Sequence, residues 1–586
     1  MNARQQSFTS KNGRLTVGVD AQVPSSLLQL LYGEENDGTS RSANGSVAGS
    51  NSVGESGHSR DTTTTYAPSI DGKYLVIGYA DRYMLLESPS ATATEKEVNN
   101  SSHHYRLMSV GNEGAASGER VTSLYCMDIY TSAAAYGGGT IKQPNGNDHQ
   151  SMCVIVGYSS GFMRIFSMYG HLVTAHQFHS QPLLRIRVRM SSQANSQQTA
   201  GEVRYLAGSS HNRHNHNSRS SNDGESGTSI LQGAVREDAE EVCLTYADGV
   251  MVSIDGKSLY LALRVCLNEA ADGTNSGSSS GGGGADEPVF QYKKWEFELN
   301  TPMVADAVSY GPAAHRDPLA LLAKGTVQTS SPILSDATAR FLVAPQQGDA
   351  VFGVFMTNED AATSFSAVDI AGRVAAKVTG AVLSLAKSYF WRASPLLMQS
   401  SAPEPSSQSD TPPVSSLRGD SGTVVPCAFA VRDGVRKVLE ISLAPAQYNL
   451  AALTDSLGRV LVFDLETCEI VHMLKGLRGS QCAWLETMRS SQDNAAASFS
   501  RRMFVVVYTA RRGTVEVFEL GAMERPIASV SVGAGWRLVQ CPSQPFGGSL
   551  VVGSSWRARR VALPTLATCI LVNNSSGQVA RVTVNE

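Results

Sequence analysis

The chain has 586 residues, 42% of them hydrophobic and 17% charged, with a formal net charge of −4. That length accommodates several domains or one large repeat architecture, and the near-neutral balance lacks the basic footprint of a nucleic-acid binder. Nine scattered cysteines without a C-x-x-C pair speak against a disulfide framework or a zinc site and fit a reducing compartment.

Residues 1–66 read as a polar N-terminal segment, partly disordered. Its opening, MNARQQSFTSKNGRL, has no apolar core of the kind a secretory signal needs. Nowhere does the chain reach the roughly 18 consecutive apolar residues of a membrane span, so a soluble cytoplasmic protein is expected. Over residues 67–586, apolar segments of strand length alternate with polar stretches at 88–117, 133–150, 191–240, 268–287 and 400–421. Those stretches bury too little apolar surface to offset their ordering entropy, and they read as disordered insertions.

The apolar segments share one pattern, first met in VIVGYSSGFMRIFS, where a run ends in a turn and resumes after Gly161. It recurs as ADGVMVSID at Gly249, SLGRVLVFD at Gly458, RRGTVEVFE at Gly513 and SSGQVARVT at Gly577. Two residues after each glycine stands Met163, Met251, Val460, Val515 or Val579, and five after it Phe166, Ile254, Phe463, Phe518 or Val582. A hairpin turn needs a permissive backbone, and β-branched or aromatic flanks suit strands covered on both faces. The recurrence predicts an all-β fold, a degenerate WD-repeat-like β-propeller with long disordered insertions and one amphipathic helical insertion. "Degenerate" because the glycines are irregularly spaced and no Trp-Asp dipeptide occurs. Two stacked sheets of a β-sandwich are the competing arrangement.

The helical insertion is read near 366–391, within FSAVDIAGRVAAKVTGAVLSLAKSYFW. Its alanines favour helix, and Ile370, Val374, Val378, Val382 and Leu385 fall at spacings of four and three along one stripe. Such a helix packs against the propeller edge; its Tyr389-Phe390-Trp391 end also suits docking to a partner or a membrane surface.

No catalytic constellation emerges. HNRHNH (His211–His216) and SSGGGGAD (Ser279–Asp286) sit in polar tracts that fix no ligand geometry and form no phosphate loop. His176 and His179 have no nucleophile paired with them and read as turn or strand-edge residues. Arg511 and Arg512 precede Gly513 in a motif similar to the Phe-Arg-Arg-Gly of phosphoinositide-binding propellers, which makes a lipid-binding adaptor acting at membranes the alternative function. Neither a Walker sequence, a nucleophile elbow nor a zinc signature occurs, and no cofactor is expected.

Several blocks, taken in order from about Tyr74 to the C-terminus, resemble the N-terminal domain of the non-catalytic (regulatory) subunit of the Rab-3 GTPase-activating protein complex. They are IVGYSSGFMRIFSMYGHLVTAHQFHSQPLLRIRV, VCLTYADGVMVSIDGKSLYLALRVCLNE, YKKWEF, LTDSLGRVLVFDLETCEIVHMLKGLRGSQCAWLE and YTARRGTVEVFEL. In the second block the resemblance implies a strand ending in Ile254-Asp255-Gly256 and a short helix at Leu263-Arg264-Val265-Cys266.

The resemblance implies a regulator rather than an enzyme. Its partners would be a catalytic subunit that supplies the GTPase-activating arginine, and a Rab-family small GTPase. It further implies a cytoplasmic protein peripheral at endomembranes, with roles in vesicle traffic, autophagy and nucleotide exchange on another Rab, and no nucleic-acid partner. Tyr292, Lys293, Lys294 and Trp295 of YKKW, and Lys475 and Arg478 of the KGLRG block, are the candidate partner contacts; Lys293, Lys294 and Trp295 read either as an exposed basic–aromatic patch or as a blade strand with solvated lysines.

Overall fold

The structure, a computed structural model, describes residues 7–32, 64–70, 72–89, 104–112, 118–130, 150–193, 236–263, 291–299, 301, 303–311, 338–359, 362, 364–366, 421–490, 499–543, 546 and 566–585. Their strands form seven separate sheets, and five are antiparallel meanders of four consecutive or nearly consecutive strands. Numbering strands outward from the axis, blade 1 holds Thr65–Pro68, Tyr74–Tyr79, Arg82–Glu87 and Arg106–Gly111. Blade 2 holds Val121–Tyr130, Gln150–Tyr158, Phe162–Ser167 and Leu172–Gln177. Blade 3 holds Leu183–Gln193, Arg236–Tyr246, Val250–Asp255 and Gln291–Phe297, with Ser364–Ser366 and Thr423–Val425 added along its outer edge. Blade 4 holds Val304–Ser309, Thr338–Pro345, Ala350–Asn358 and Cys427–Arg432. Blade 5 holds Val438–Leu443, Leu450–Asp455, Arg459–Asp464 and Glu469–Lys475, and blade 6 holds Ser480–Ser490, Phe499–Thr509, Thr514–Glu519 and Ala528–Ser531.

The seventh blade joins the two ends of the chain. Trp536–Gln540, Cys569–Asn573 and Gln578–Val584 supply its inner strands, and Leu15–Gln22 pairs antiparallel with the last of them, from Leu15↔Val584 to Gln22↔Gln578. Ser7–Thr9 adds an outer fifth strand. Part of the segment 1–66, read from its polarity as lying outside the propeller, therefore closes the ring. Leu15 and Val17 are fully buried in this blade, and no local property of the N-terminus signals the pairing.

Packing decides between a propeller and a sandwich. Each hydrophobic cluster spans two consecutive blades, for example Val76 with Val154 (blades 1 and 2), Leu342 with Leu453 (4 and 5) and Val460 with Val505 (5 and 6). The cluster containing Ile77 and Val579 joins blade 1 to blade 7, so the succession is cyclic. A cavity of about 620 Å³ lies on the axis, lined by the innermost strand of every blade through residues such as Ala67, Ser123, Arg187, Ala307, Ile441, Cys482 and Leu538. Sheets covered on both faces carry near-continuous apolar runs, as Leu450–Asp455 does with all six positions buried.

The glycine turns join strands two and three, at the same end of the ring as the links from strand four to the next blade. Gly161 and Gly458 both adopt φ of +84°. A Cβ on Gly458 would lie 2.5 Å from Arg478 Cγ, and one on Gly161 would collide with the His179 carbonyl, so the inter-blade link excludes a side chain as strongly as the backbone angle does. Leu477 N donates to Gly458 O at 2.8 Å, locking link to turn. Most long stretches outside the described residues, such as 131–149, 194–235 and 367–420, interrupt the chain at the opposite end, between strands one and two or three and four.

Several insertion boundaries differ from those read in the sequence. Arg106–Gly111 lies inside 88–117 yet is a strand; outermost in its blade, it pairs on one side only and tolerates polar residues that resemble a loop. Within 191–240, Leu183–Gln193 and Arg236–Tyr246 continue as a paired ribbon to Gln193↔Arg236, because ladder hydrogen bonds do not depend on side-chain type. Gln150, the last residue of 133–150, opens a strand. Residues 268–287 and 400–420 lie outside the described residues, and Ser421 leads into Thr423–Val425.

The helix expected near 366–391 lies outside the described residues except for its first position, Ser366. Phe365 and Ser366 belong to a strand paired with Gln291–Lys293, and residues 367–391 lie outside the described residues, as do His211–His216 and Ser279–Asp286. A helix follows Asp255, over 256–263, and includes Leu263 of the stretch implied by resemblance, whose residues 264–266 lie outside the described residues. Asp255 starts it by accepting from Ser258 N at 2.7 Å. Among the described residues, no helix is long and apolar enough to cross a membrane.

Candidate interaction surface

The YKKW residues lie on the fourth strand of blade 3, and they form no exposed patch. Tyr292 is 2% exposed and Trp295 1%. Three positions apart on a strand, they point to opposite faces, and each face is covered by a neighbouring blade. Tyr292 packs against Phe178 at 4.9 Å between ring centroids, and Trp295 against Phe341 at 5.2 Å. The indole Nε1 donates to Ser253 Oγ at 3.1 Å. Lys293 Nζ pairs with Glu359 Oε1 at 3.1 Å, and Lys294, also buried, lies with Nζ 3.4 Å from His179 Nδ1. The expected patch rested on the basic–aromatic composition alone; neighbouring blades cover both faces of this strand, and Ser364–Ser366 and Thr423–Val425 pair along its outer edge.

His179 occupies the link from blade 2 to blade 3, and its Nε2 meets Asp248 Oδ2, in the turn beside Gly249, at 2.6 Å. Burial disfavours the Asp248 charge, but the His179 contact and the Val250 amide outweigh it and hold the carboxyl below its usual range. Here His179 fastens a link to a turn, with no nucleophile involved. His176 stands inside the strand Leu172–Gln177, where burial pushes its pKa down to about 4. Burial likewise pushes the Cys243 thiol up to about 12, far from a reactive thiolate. Among the described residues, no group of three His, Cys, Asp or Glu side chains is placed to hold a metal ion.

Lys475, Arg478, Arg511 and Arg512 are all exposed. Although 33 to 37 positions separate Lys475–Arg478 from Arg511–Arg512 in the chain numbering, the fold brings them to one end of blades 5 and 6. Ala510 N donates to Gly479 O at 3.4 Å, and Arg512 Nη2 would lie 3.8 Å from a Cβ on Gly476. Arg459, beside Gly458, is a fifth cation in this region that sequence reading did not single out. Its signal is positional, since it follows a turn glycine on the same end. An exposed guanidinium group offers forked donors suited to carboxylates and phosphates, so this surface can bind anions.

The chain matches the family described as "Rab3 GTPase-activating protein regulatory subunit N-terminus" over residues 62–207 and 225–539. It belongs to that family. The matched residues run through blades 1 to 6 and stop inside Trp536–Gln540 of the seventh, whose remaining strands, Leu15–Gln22 among them, lie outside the match. Among solved structures, it is similar to Saccharomyces cerevisiae Sqt1, at 9% identity and a TM-score of 0.32, covering 90% of this chain and 97% of that one. It is also similar to the C-terminal WD40 domain of Sif2, at 9% identity and a TM-score of 0.33, covering 90% and 96%. As a member of the Rab3 GTPase-activating protein regulatory-subunit family, the chain is the propeller of a non-catalytic subunit.

Proposed function

We propose that this chain is the propeller part of a regulatory subunit that binds a Rab GTPase-activating catalytic subunit and, with it, controls the nucleotide state of a Rab GTPase. The match to the regulatory-subunit family across residues 62–539 of a closed propeller is the observation that carries this reading. The catalytic subunit supplies the arginine that stabilises charge on the transferring phosphoryl group, an effect of about 10³–10⁵ in rate. This chain contributes a rigid ring whose ends present contact surfaces. Its place is the cytoplasm, peripheral at endomembranes, in vesicle traffic and autophagy.

Affinity purification of the full chain tests the proposal. A catalytic Rab GTPase-activating subunit should copurify, and the pair should accelerate GTP hydrolysis by a Rab beyond the catalytic subunit alone. The isolated chain should leave the basal rate unchanged. Acceleration by the isolated chain, or purification without any such subunit, contradicts the reading.

A further inference from the structure

Three consecutive connections at the glycine-turn end carry Arg459, Lys475, Arg478, Arg511 and Arg512. They are the turn after strand two of blade 5, the link from blade 5 to blade 6, and the corresponding turn of blade 6, hydrogen-bonded side by side. None of the five cations forms an ion pair among the described residues. Asp455, the one carboxylate in these connections, is buried. It is held by Arg436 Nε at 3.2 Å and by the amides of Leu457 and Arg459 at 3.0 and 2.7 Å, so it neutralises nothing at the surface. A chain of net charge −4 thus concentrates uncompensated positive charge on one sector of one end. Two aliphatic tips stand close by, Leu457 in the blade 5 turn itself at 42% exposure and Val435 in the link from blade 4 to blade 5 at 75%.

We propose that this sector is the docking site for an acidic segment of the catalytic subunit, whose carboxylates meet the five cations and whose apolar side chains meet Leu457 and Val435. The kind of ligand follows from charge complementarity; its assignment to the catalytic subunit rests on the function proposed above. The distribution of charge favours a segment over a membrane. A flat anionic bilayer laid on this end would also meet the exposed Asp349, which carries no ion pair among the described residues, whereas Asp81 and Asp433 are paired with Arg82 and Arg436. A single extended segment lying over blades 5 and 6, narrower than the ring, meets the cations and avoids Asp349 in the blade 4 turn.

The test compares the full chain with a variant carrying Lys475→Glu, Arg478→Glu, Arg511→Glu and Arg512→Glu, and with Asp349→Lys as a control on the same end. The probes are the purified catalytic subunit, a synthetic Glu-rich peptide containing leucine, and vesicles containing phosphatidylserine and phosphoinositides. All four altered side chains are exposed, so an unchanged melting temperature establishes folding. The fourfold variant should associate with subunit and peptide at least about tenfold more slowly, and added salt should erase the wild-type advantage. Asp349→Lys should associate no more slowly than wild type. If the variant binds subunit and peptide as wild type does, the inference is overturned while the proposed function stands. If only vesicle binding changes, the surface reads membranes and the inference is overturned as well. If the peptide separates the two proteins but the subunit binds neither, the docking site stands and the assignment of function fails.

Discussion

Arg187, on the innermost strand of blade 3, and Asp306, on that of blade 4, form a two-pronged pair with both Nη–Oδ distances at 2.7 Å. Asp306 is fully buried, and it also accepts from the Ala307 and Ile441 amides at 2.9 and 2.8 Å. Arg187 Nη2 further donates to Ile441 O of blade 5 at 3.0 Å, so one pair ties three blades together beside the axial cavity. Burial disfavours the Arg187 charge, but the Asp306 carboxylate more than compensates and raises its pKa above the usual value.

Removing Asp306 leaves a largely desolvated guanidinium and two amides without an acceptor. Asp306→Ala should cost about 3–5 kcal/mol of stability, the range for breaking a buried pair at one partner. The denaturant midpoint, followed by near-ultraviolet circular dichroism, measures it. A loss below about 1 kcal/mol would mean the pair adds no more than an exposed one.

Gly458 and Gly434 offer a matched comparison. Gly458 has a φ of +84° and Arg478 packed above it, whereas nothing lies within 4 Å of a Cβ built on Gly434. Gly458→Ala should therefore lower stability by about 1–3 kcal/mol. Gly434→Ala should change it by no more than about 0.5 kcal/mol, as for an ordinary surface substitution. Equal melting temperatures for the two variants would refute the role assigned to the turn.

Trp295 tests the corrected position of the YKKW strand. Being 1% exposed among residues of two blades, it should act on stability: Trp295→Ala is expected to cost about 3–5 kcal/mol. Lys293→Ala, which loses one half-buried ion pair, should cost no more than about 1 kcal/mol. Thermal unfolding of both proteins checks the contrast; a Trp295→Ala protein as stable as wild type would return this side chain to the surface.

His176 predicts a pH dependence. Burial lowers its folded pKa from 6.5 to about 4, so between those values the unfolded chain binds a proton that the folded chain does not. The neutral imidazole's contribution is fully present above pH 6.5 and is lost as pH falls toward 4. Partial exposure of this strand limits the effect to the order of 1–3 kcal/mol. The melting temperature of wild type should drop more steeply between pH 7 and pH 5 than that of His176→Gln. Parallel curves would remove His176 as the source.

The hairpins were legible because their constraint is local. Gly161, Gly249, Gly458, Gly513 and Gly577 all have positive φ, and the apolar positions two and five residues beyond them enter the inter-blade clusters. Strand Arg106–Gly111 was read as an insertion because an outer strand has one partner and little burial. Arg459 carries only a positional mark, the turn glycine before it, which by itself does not separate a cation at the surface from an ordinary strand residue. Lys475, Arg478, Arg511 and Arg512 were singled out as two separate motifs, and the sequence held no sign that they adjoin.

The amino-acid sequence by itself determined the strand–turn–strand units and the family to which the chain belongs. These follow from backbone preference, side-chain period and motif, which act over a few residues. Only the tertiary structure decided that Leu15–Gln22 closes the seventh blade, that Trp295 is interior, and that five cations share one sector. Those depend on which strands become neighbours, and ring closure brings together segments whose separation in the chain exceeds the reach of any local preference.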